Sequence, residues 1–235
     1  YKKRIAAIIL CGGKGTRLGQ KFKNTNKSLI KVEGKTLVSR NINYLRKNQI
    51  SNIFVVTGHA HQKVEKEVIK NFKNKIFLNF TGINSSIVER IRKTIKLIDT
   101  FDYILIMNGD SLYKFNLKKI FQTTLIKNID CSFVSTAKVI KYGFLKVGNN
   151  NKLVSFVKNQ KFNNFLNSQN HLFYTGMFLI KKNLLKKNIK SIKKNFEIEF
   201  FNKIIKKNKV NVFFDKGKFQ DFNNIEDIQD LKISF

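Results

Sequence analysis

An α/β fold is what this sequence predicts: a doubly wound, mostly parallel sheet with a β-rich elaboration in its C-terminal part. Three observations carry that expectation. From residue 5 to residue 107, short and wholly apolar runs alternate with stretches whose apolar residues recur at helical spacing. That is the pattern of a buried parallel sheet covered by helices on both faces. After about Asn128 the texture changes to strands separated by turns. Finally, 235 residues that are 42% hydrophobic give enough chain for one domain with a substantial core.

Residues 5–10 form a continuous apolar run, long enough for a buried strand and too short for an ordinary helix. A glycine-rich turn and a polar stretch over 19–26 follow. Residues 36–48 place Leu37, Ile42 and Leu45 on one helical face, with Thr36 as the N-cap. Strands are then expected at 53–56, 76–80 and 103–107, with helices at 60–72 and 86–98 between them. In the second half, 132–139, 144–147, 153–157 and 173–180 read as strands, the last preceded by an Asn-rich loop over 158–170. A helix at 196–206, a strand at 210–214 and a short helix at 225–231 finish the chain. No Pro- or Ser-rich linker and no internal repeat divides it. A single domain over 1–235 is expected, one half reaching about 128 and the other starting about 129.

Lys and Arg number 46 against 15 Asp and Glu, a formal charge of +31. Such a charge ordinarily points to nucleic acid or an anionic membrane. Here Lys is abundant together with Asn, Ile and Phe, while Pro and Trp are absent. The abundant residues share A/T-rich codons, and the basic residues recur through the chain instead of gathering in one arm. We read them as lysines on solvated helix faces, with a general attraction for anionic ligands and no specific nucleic-acid partner, which would need a clustered basic face interleaved with aromatics. No apolar run reaches the roughly 18–20 residues of a membrane span. The basic start, Tyr1 to Arg4, and its apolar run pass straight into glycines, so no secretion signal is expected. The missing initial Met leads us to expect a trimmed chain or a piece of a longer one. Cys11 and Cys131 are too few for a disulfide framework and predict a reducing, cytoplasmic setting. With His59, His61 and His171 they show no zinc spacing, and no Ser/His/Asp arrangement is visible.

The first strand runs into Cys11-Gly12-Gly13-Lys14-Gly15-Thr16-Arg17-Leu18. Glycines at 12, 13 and 15 let backbone N–H groups approach an anion, and Thr16 and Arg17 add donors. A Walker A loop would need Ser or Thr after Lys14, where Gly15 stands. A dinucleotide fingerprint from Gly13 would need glycine at Leu18 and an acidic residue ending the second strand, which ends Thr57-Gly58. The segment instead resembles the G-G-x-G-T-R-L signature of the nucleoside-diphosphate-sugar pyrophosphorylases, the sugar-1-phosphate nucleotidyltransferases. That family follows its signature with a P-K-P-like motif whose Lys is essential. Asn26-Lys27-Ser28-Leu29 puts Lys27 ten residues beyond Arg17, at the expected place, without either proline.

The strand at 103–107 ends Asn108-Gly109-Asp110, and an aspartate there is well placed to hold Mg²⁺ over nucleotide phosphates. The family carries G-D at this point and uses the Asp for metal. Residues 219–227, Phe-Gln-Asp-Phe-Asn-Asn-Ile-Glu-Asp, resemble the family's W-x-D-I-G-T-P-E-D, which gives Asp221 the second metal position. Glu226 and Asp227 then support the first turn of the last helix. Glu197 and Glu199 echo a further family segment and are read evenly as sugar-side or fold residues.

On the sugar side, Lys141-Tyr142-Gly143-Phe144-Leu145 is similar to the family's Y-G-x-L, and Thr175-Gly176-Met177-Phe178 to its N-x-G-x-[FY] strand, with Tyr174 where Asn is common. At Phe156-Val157-Lys158-Asn159 the family has F-x-E-K; here Lys158 supplies the cation one position earlier and the Glu is missing. For the base, Thr81, Asn84 and Ser85 offer short hydrogen-bonding groups, or cap the helix starting near Ser86. An ungapped reading through Arg90 and Lys93 is closest to glucose-1-phosphate cytidylyltransferases, which leans the base to cytidine, with GTP and UTP as the other NTPs.

The resemblance implies a Rossmann-like sheet with a sugar-binding elaboration, and Mg²⁺-dependent transfer of a nucleoside monophosphate from an NTP to a sugar-1-phosphate. In that expectation Arg17 and Lys27 are catalytic. Leu10, Cys11, Gly12, Gly13, Gly15, Thr16, Arg17, Thr81, Asn84, Ser85 and Gly109 bind nucleotide. Asp110 and Asp221 hold metal. Gly143, Lys158, Thr175, Gly176 and Glu197 face the sugar phosphate. The alternative is a non-catalytic nucleotide- or sugar-phosphate-binding regulatory domain of the same fold, supported by the altered segment at 156–159.

Overall fold

A computed structural model describes residues 5–13, 26–73, 76–136, 139–140, 144–147, 153–157, 160–161, 172–193 and 195–222. The chain opens with β1 (Ile5–Cys11), buried along almost its whole length. A short 3₁₀ turn, Lys27–Leu29, and a hairpin of β2 (Lys31–Val32) and β3 (Lys35–Thr36) lead into α1 (Leu37–Lys47). Thr36 caps that helix by accepting from Ser39 N, as its sequence position predicts. Then come β4 (Ile53–Thr57), α2 (His61–Phe72), β5 (Phe77–Phe80), α3 (Ile87–Ile95) and β6 (Tyr103–Asn108). Ser86 and Glu89 form a reciprocal capping box at the start of α3.

Two elements that the apolar pattern did not announce come next: β7 (Ser111–Lys114) and α4 (Leu117–Ile126). The signal for α4 is Asn116, whose side chain accepts from Lys119 N, ahead of a face made by Leu117, Ile120 and Phe121. β8 (Cys131–Thr136), β9 (Val139–Ile140), β10 (Phe144–Val147), β11 (Leu153–Val157), β12 (Gln160–Lys161) and β13 (Phe173–Lys181) follow. A helix α5 (Lys182–Ile189) lies inside a lysine-rich run and buries only Leu185 and Ile189. The helix expected over 196–206 is a π-helical segment, Phe196–Phe201, running into a single turn α6 (Asn202–Ile205). That wide turn carries Phe196, Phe200 and Phe201 into contact with one another, and Phe201 also meets Phe133, Tyr174 and Phe178 of the sheet. β14 (Val210–Phe214) and β15 (Lys218–Asp221) come last, and the helix expected at 225–231 lies outside the described residues.

Seven strands make the central sheet in the order β14-β8-β13-β6-β1-β4-β5. Every pairing is parallel except those of β13, which runs antiparallel to both neighbours. Alternation along β1 sorts the core into two layers. Ile5, Ala7, Ile9 and Cys11 face α1, α2 and α4, while Ala6 and Ile8 face α3, α5 and the π-helical segment. The sheet is thus wound on both sides, and β1, β4 and β6 are almost wholly apolar for that reason.

Candidate active site

β1, β4 and β6 end level with one another, Cys11 opposite Thr57 and Leu10 opposite Asn108. Ligands bind beyond this carboxyl edge in open α/β sheets. Gly12 follows β1 and is closely roofed: its carbonyl accepts from Arg90 Nη2 at 2.8 Å and from His59 N at 3.3 Å. A Cβ at Gly12 would overlap the Arg90 guanidinium. Gly13 continues along the same edge. Gly15, Thr16 and Arg17 fall in 14–25, outside the described residues.

The chain returns at Asn26, whose side chain explains the placement of Lys27. Asn26 Nδ2 donates to Cys11 O (2.6 Å) and His59 O (2.8 Å), while its Oδ1 accepts from Ser28 N and Oγ. So anchored, the 3₁₀ turn holds Lys27, only 11% exposed, with Nζ 3.9 Å from Asp110 Oδ2. A cleft of about 190 Å³ is bounded by Leu10, Cys11, Gly13, Lys27, Arg90 and Asp110.

Asp110 owes its position to Gly109. The Gly109 N–H donates to Leu10 O at 3.0 Å, and a Cβ on it would overlap Cys11 Sγ and stand 2.9 Å from Leu10 O. The turn then reverses into β7, which pairs antiparallel with β15, Asp221 opposite Ser111. In this way a residue near the end of the described chain is delivered beside Asp110. The Asp110 side chain is 38% exposed, yet it lies within a cleft instead of on an open surface. Burial raises its pKa above the ordinary carboxylate range; Lys27 opposes that rise and Asp221 adds to it. These two carboxylates are the residues that could hold a hard cation. Among the described residues no cluster of three His, Cys, Asp or Glu side chains forms. The neighbouring Cys11 thiol is pushed up to about 12, mainly by burial, so it stays neutral.

The loop at the start of α3 is held from within. Thr81 Oγ1 donates to Thr57 O and meets Ser85 Oγ at 3.0 Å; Ser85 donates to Gly82 O. Lys93 Nζ donates to Thr81 O. Asn84 is exposed, and Ser86 is the cap. Arg90 ties this loop to Gly12, giving Nε to Ser85 Oγ at 3.1 Å. It is 8% exposed and burial lowers its pKa, against the pull of Cys11 and Glu89. The sequence reading passed over Arg90 as a site residue. Its signal is a charge on the buried face of α3, among Val88, Ile91 and Thr94.

On the far side, Thr175 Oγ1 donates to Val134 O and is buried, so it fixes β13 to β8. Gly176 has φ +76°, and a Cβ on it would overlap Asn108 Nδ2. The two glutamates read evenly from sequence separate here. Glu199 accepts from Lys193 N and Asn195 N and so secures the π-helical segment, while Glu197 is exposed and its charge reaches Tyr174 on β13. Gly143 and Lys158 lie outside the described residues.

Known proteins share this arrangement of chain. The bifunctional protein GlmU of Methanococcus maripaludis is 26% identical over 187 residues, 76% of this chain and 42% of that protein. The D-glycero-alpha-D-manno-heptose 1-phosphate guanylyltransferase of Aneurinibacillus thermoaerophilus is 29% identical over 124 residues, 50% of this chain and 51% of that protein. The chain thus spans about half, or less, of the length of these curated relatives. HddC from Yersinia pseudotuberculosis, solved with GMP-PN, superposes with a TM-score of 0.72 at 21% identity, over 96% of this chain and 97% of that one. The family described as Nucleotidyl transferase matches residues 6–232, and the chain belongs to that family.

Proposed function

We propose that the protein transfers a nucleoside monophosphate from an NTP to a sugar-1-phosphate, releasing pyrophosphate. The observation that carries this reading is Lys27 facing Asp110 across a cleft at the glycine-bearing end of β1. In the transfer an oxygen of the sugar phosphate attacks the α-phosphorus, and the bond to the β-phosphate breaks. The attacking group is already anionic, so no general base and no covalent enzyme intermediate is required. Positioning and charge neutralisation dominate. Lys27, with Arg17, neutralises negative charge at the α-phosphate and the leaving pyrophosphate. Backbone N–H groups of Gly12, Gly13 and Gly15 receive the triphosphate. Leu10, Cys11 and Gly109 close the edge of the sheet beside it, with Thr16, Thr81, Asn84 and Ser85 on the nucleotide. Gly143, Lys158, Thr175, Gly176 and Glu197 form the sugar-phosphate side.

The donors at Asp110 and Asp221 suit Mg²⁺: they are hard oxygens, and a cation would offset both the burial that chiefly raises the Asp110 pKa and the smaller repulsion from Asp221. When bound there, Mg²⁺ supplies Lewis-acid neutralisation of phosphate oxygens. Both cysteines are free and buried, in keeping with a cytoplasmic setting, and among the described residues no helix is long and apolar enough to cross a membrane. One domain with a nucleotide half and a sugar-phosphate half fits the continuous sheet.

For the base we favour guanine over the cytosine suggested by the sequence around α3. A relative is named a heptose 1-phosphate guanylyltransferase, and a structural neighbour was solved with GMP-PN. The test is pyrophosphate release from each of the four NTPs, with Mg²⁺ and a panel of hexose and heptose 1-phosphates. Release with GTP and one sugar phosphate is expected. NTP binding by folded protein with no release across the panel would favour the regulatory reading.

A further inference from the structure

β13 leaves β6 two residues before β6 ends. Their pairing runs from Lys181↔Tyr103 to Phe178↔Ile106 and stops, because β13 breaks register between Tyr174 and Phe178. Continued ladder geometry would set Gly176 opposite Asn108, and there Gly176 takes its left-handed φ of +76°. Asn108 therefore loses its strand partner on that side, at the last residue before Gly109-Asp110. The Tyr113 hydroxyl takes over both bonds: it accepts from Asn108 N at 3.2 Å and donates to Asn108 O at 3.4 Å. A Cβ on Gly176 would lie 3.8 Å from that hydroxyl, so the bulge and the tyrosine fill one space. The ring of Tyr113, buried in the core, is the direct register partner of Phe219 on β15, with ring centroids 5.5 Å apart.

We infer that Tyr113 is a positioning residue for the paired carboxylates: its hydroxyl replaces the missing strand partner of Asn108, and its ring ties the Asp110 turn to the strand that carries Asp221. The inference rests on the metal-holding reading of Asp110 and Asp221 given above. One side chain thereby sets the spacing of two ligands that come from distant parts of the sequence. Groups that orient ligands in this way typically contribute tenfold or more to metal affinity.

The test is Mn²⁺ binding followed by electron paramagnetic resonance on the full chain, for the wild type, Tyr113→Phe, Asp110→Asn and Asp221→Asn. Tyr113→Phe deletes one oxygen and keeps the ring. It is expected to weaken Mn²⁺ binding about tenfold, with nucleotide affinity measured without metal unchanged. A tyrosine that served the fold alone would lower the unfolding midpoint and leave Mn²⁺ affinity alone. If both aspartate variants lose Mn²⁺ while Tyr113→Phe binds it within twofold of wild type, the positioning role is overturned and the site reading stands. If neither aspartate variant loses Mn²⁺, the site reading falls and takes this inference with it. Should Tyr113→Phe fail to fold, Phe219→Leu carries the test, since it keeps the hydroxyl bonds and loosens the ring contact; unchanged Mn²⁺ affinity there overturns the coupling between the strands.

Discussion

Lys27 Nζ stands 3.9 Å from Asp110 Oδ2, although the two side chains come from different turns of the chain and the Lys27 turn is anchored by the Asn26 side chain. The pair sets opposite charges against one another in a cleft that Arg90 also lines, with Asp221 close enough to act on Asp110.

Replacing Lys27 by Met should lower turnover by about 10²–10³-fold, the usual loss when one positioned donor to developing charge is removed. Asp110→Asn should act similarly. Neither should unfold the protein, because both groups line a cleft. Pyrophosphate release, read beside thermal unfolding, checks both; near-wild-type turnover in either variant removes that residue from the mechanism.

Gly109→Ala should destabilise the fold by about 1–3 kcal/mol, since the new methyl group overlaps Cys11 Sγ in a filled core. Adding Cys11→Ala removes the sulfur but leaves Leu10 O 2.9 Å away, so the double variant should regain part of the loss and not all of it. Chemical denaturation of the two single variants and the double variant measures this. Full additivity would show that the sulfur contact is not what excludes a side chain at 109.

Arg90→Leu should raise the KM for the NTP about tenfold while changing stability by less than about 1.5 kcal/mol. Two effects oppose each other in the fold: the bonds to Gly12 O and Ser85 Oγ are lost, but so is the cost of burying a cation. Nothing offsets the loss at the glycine loop. Arg90→Lys should not restore KM, because an ammonium cannot reach both acceptors in the planar fork geometry. A Lys variant with wild-type KM would refute the bridging role.

Asp130 gives a pH dependence. Burial pushes its carboxyl up, but hydrogen bonds from Lys181 Nζ (2.8 Å) and Lys209 N (2.8 Å) outweigh that, and the pKa lies below the ordinary value. A carboxylate depressed on folding adds stability above its unfolded pKa of about 3.9 and loses it as pH falls through the folded value. Asp130→Asn should therefore cost about 1 kcal/mol at pH 7, and the gap to wild type should close below about pH 4. Urea unfolding at several pH values checks the sign; a gap that widens in acid would contradict it.

Where local sequence and burial agree, the fold was legible. The apolar strands and the Thr36 cap stand where pattern and capping chemistry put them, while α3 is capped by Ser86 instead of the Thr81, Asn84 or Ser85 offered ahead of it. α5 was hidden because its three apolar residues, set among lysines, give too short a stripe to read, and β7 with β15 because a two-stranded ribbon four residues long carries no period worth reading. The π-helical segment keeps a helical composition, and its wider turn comes with mutual contacts of Phe196, Phe200 and Phe201 that the sequence pattern does not reveal. Motif spacing singles out Lys27, Asp110 and Asp221 as candidates; that Lys27 faces Asp110 across a cleft, and that Asp221 comes close to Asp110, follows from the Asn26 anchor and from strand pairing. Arg90 and Asn26 act on backbone groups distant in sequence, which no spacing along the chain encodes, and the nearby bond of Tyr113 to Asn108 arises only once β13 has bulged away.

The ribbon of β7 and β15 also has a consequence in time. During synthesis β7 emerges with the first half of the sheet, whereas β15 is the last strand among the described residues to leave the ribosome. Until it does, β7 offers a bare edge bearing Leu112 and Tyr113, and Asp110 lacks its neighbouring carboxylate. A nascent chain is then sticky along this edge, and the same pairing step that hides the edge also brings the second carboxylate to Asp110.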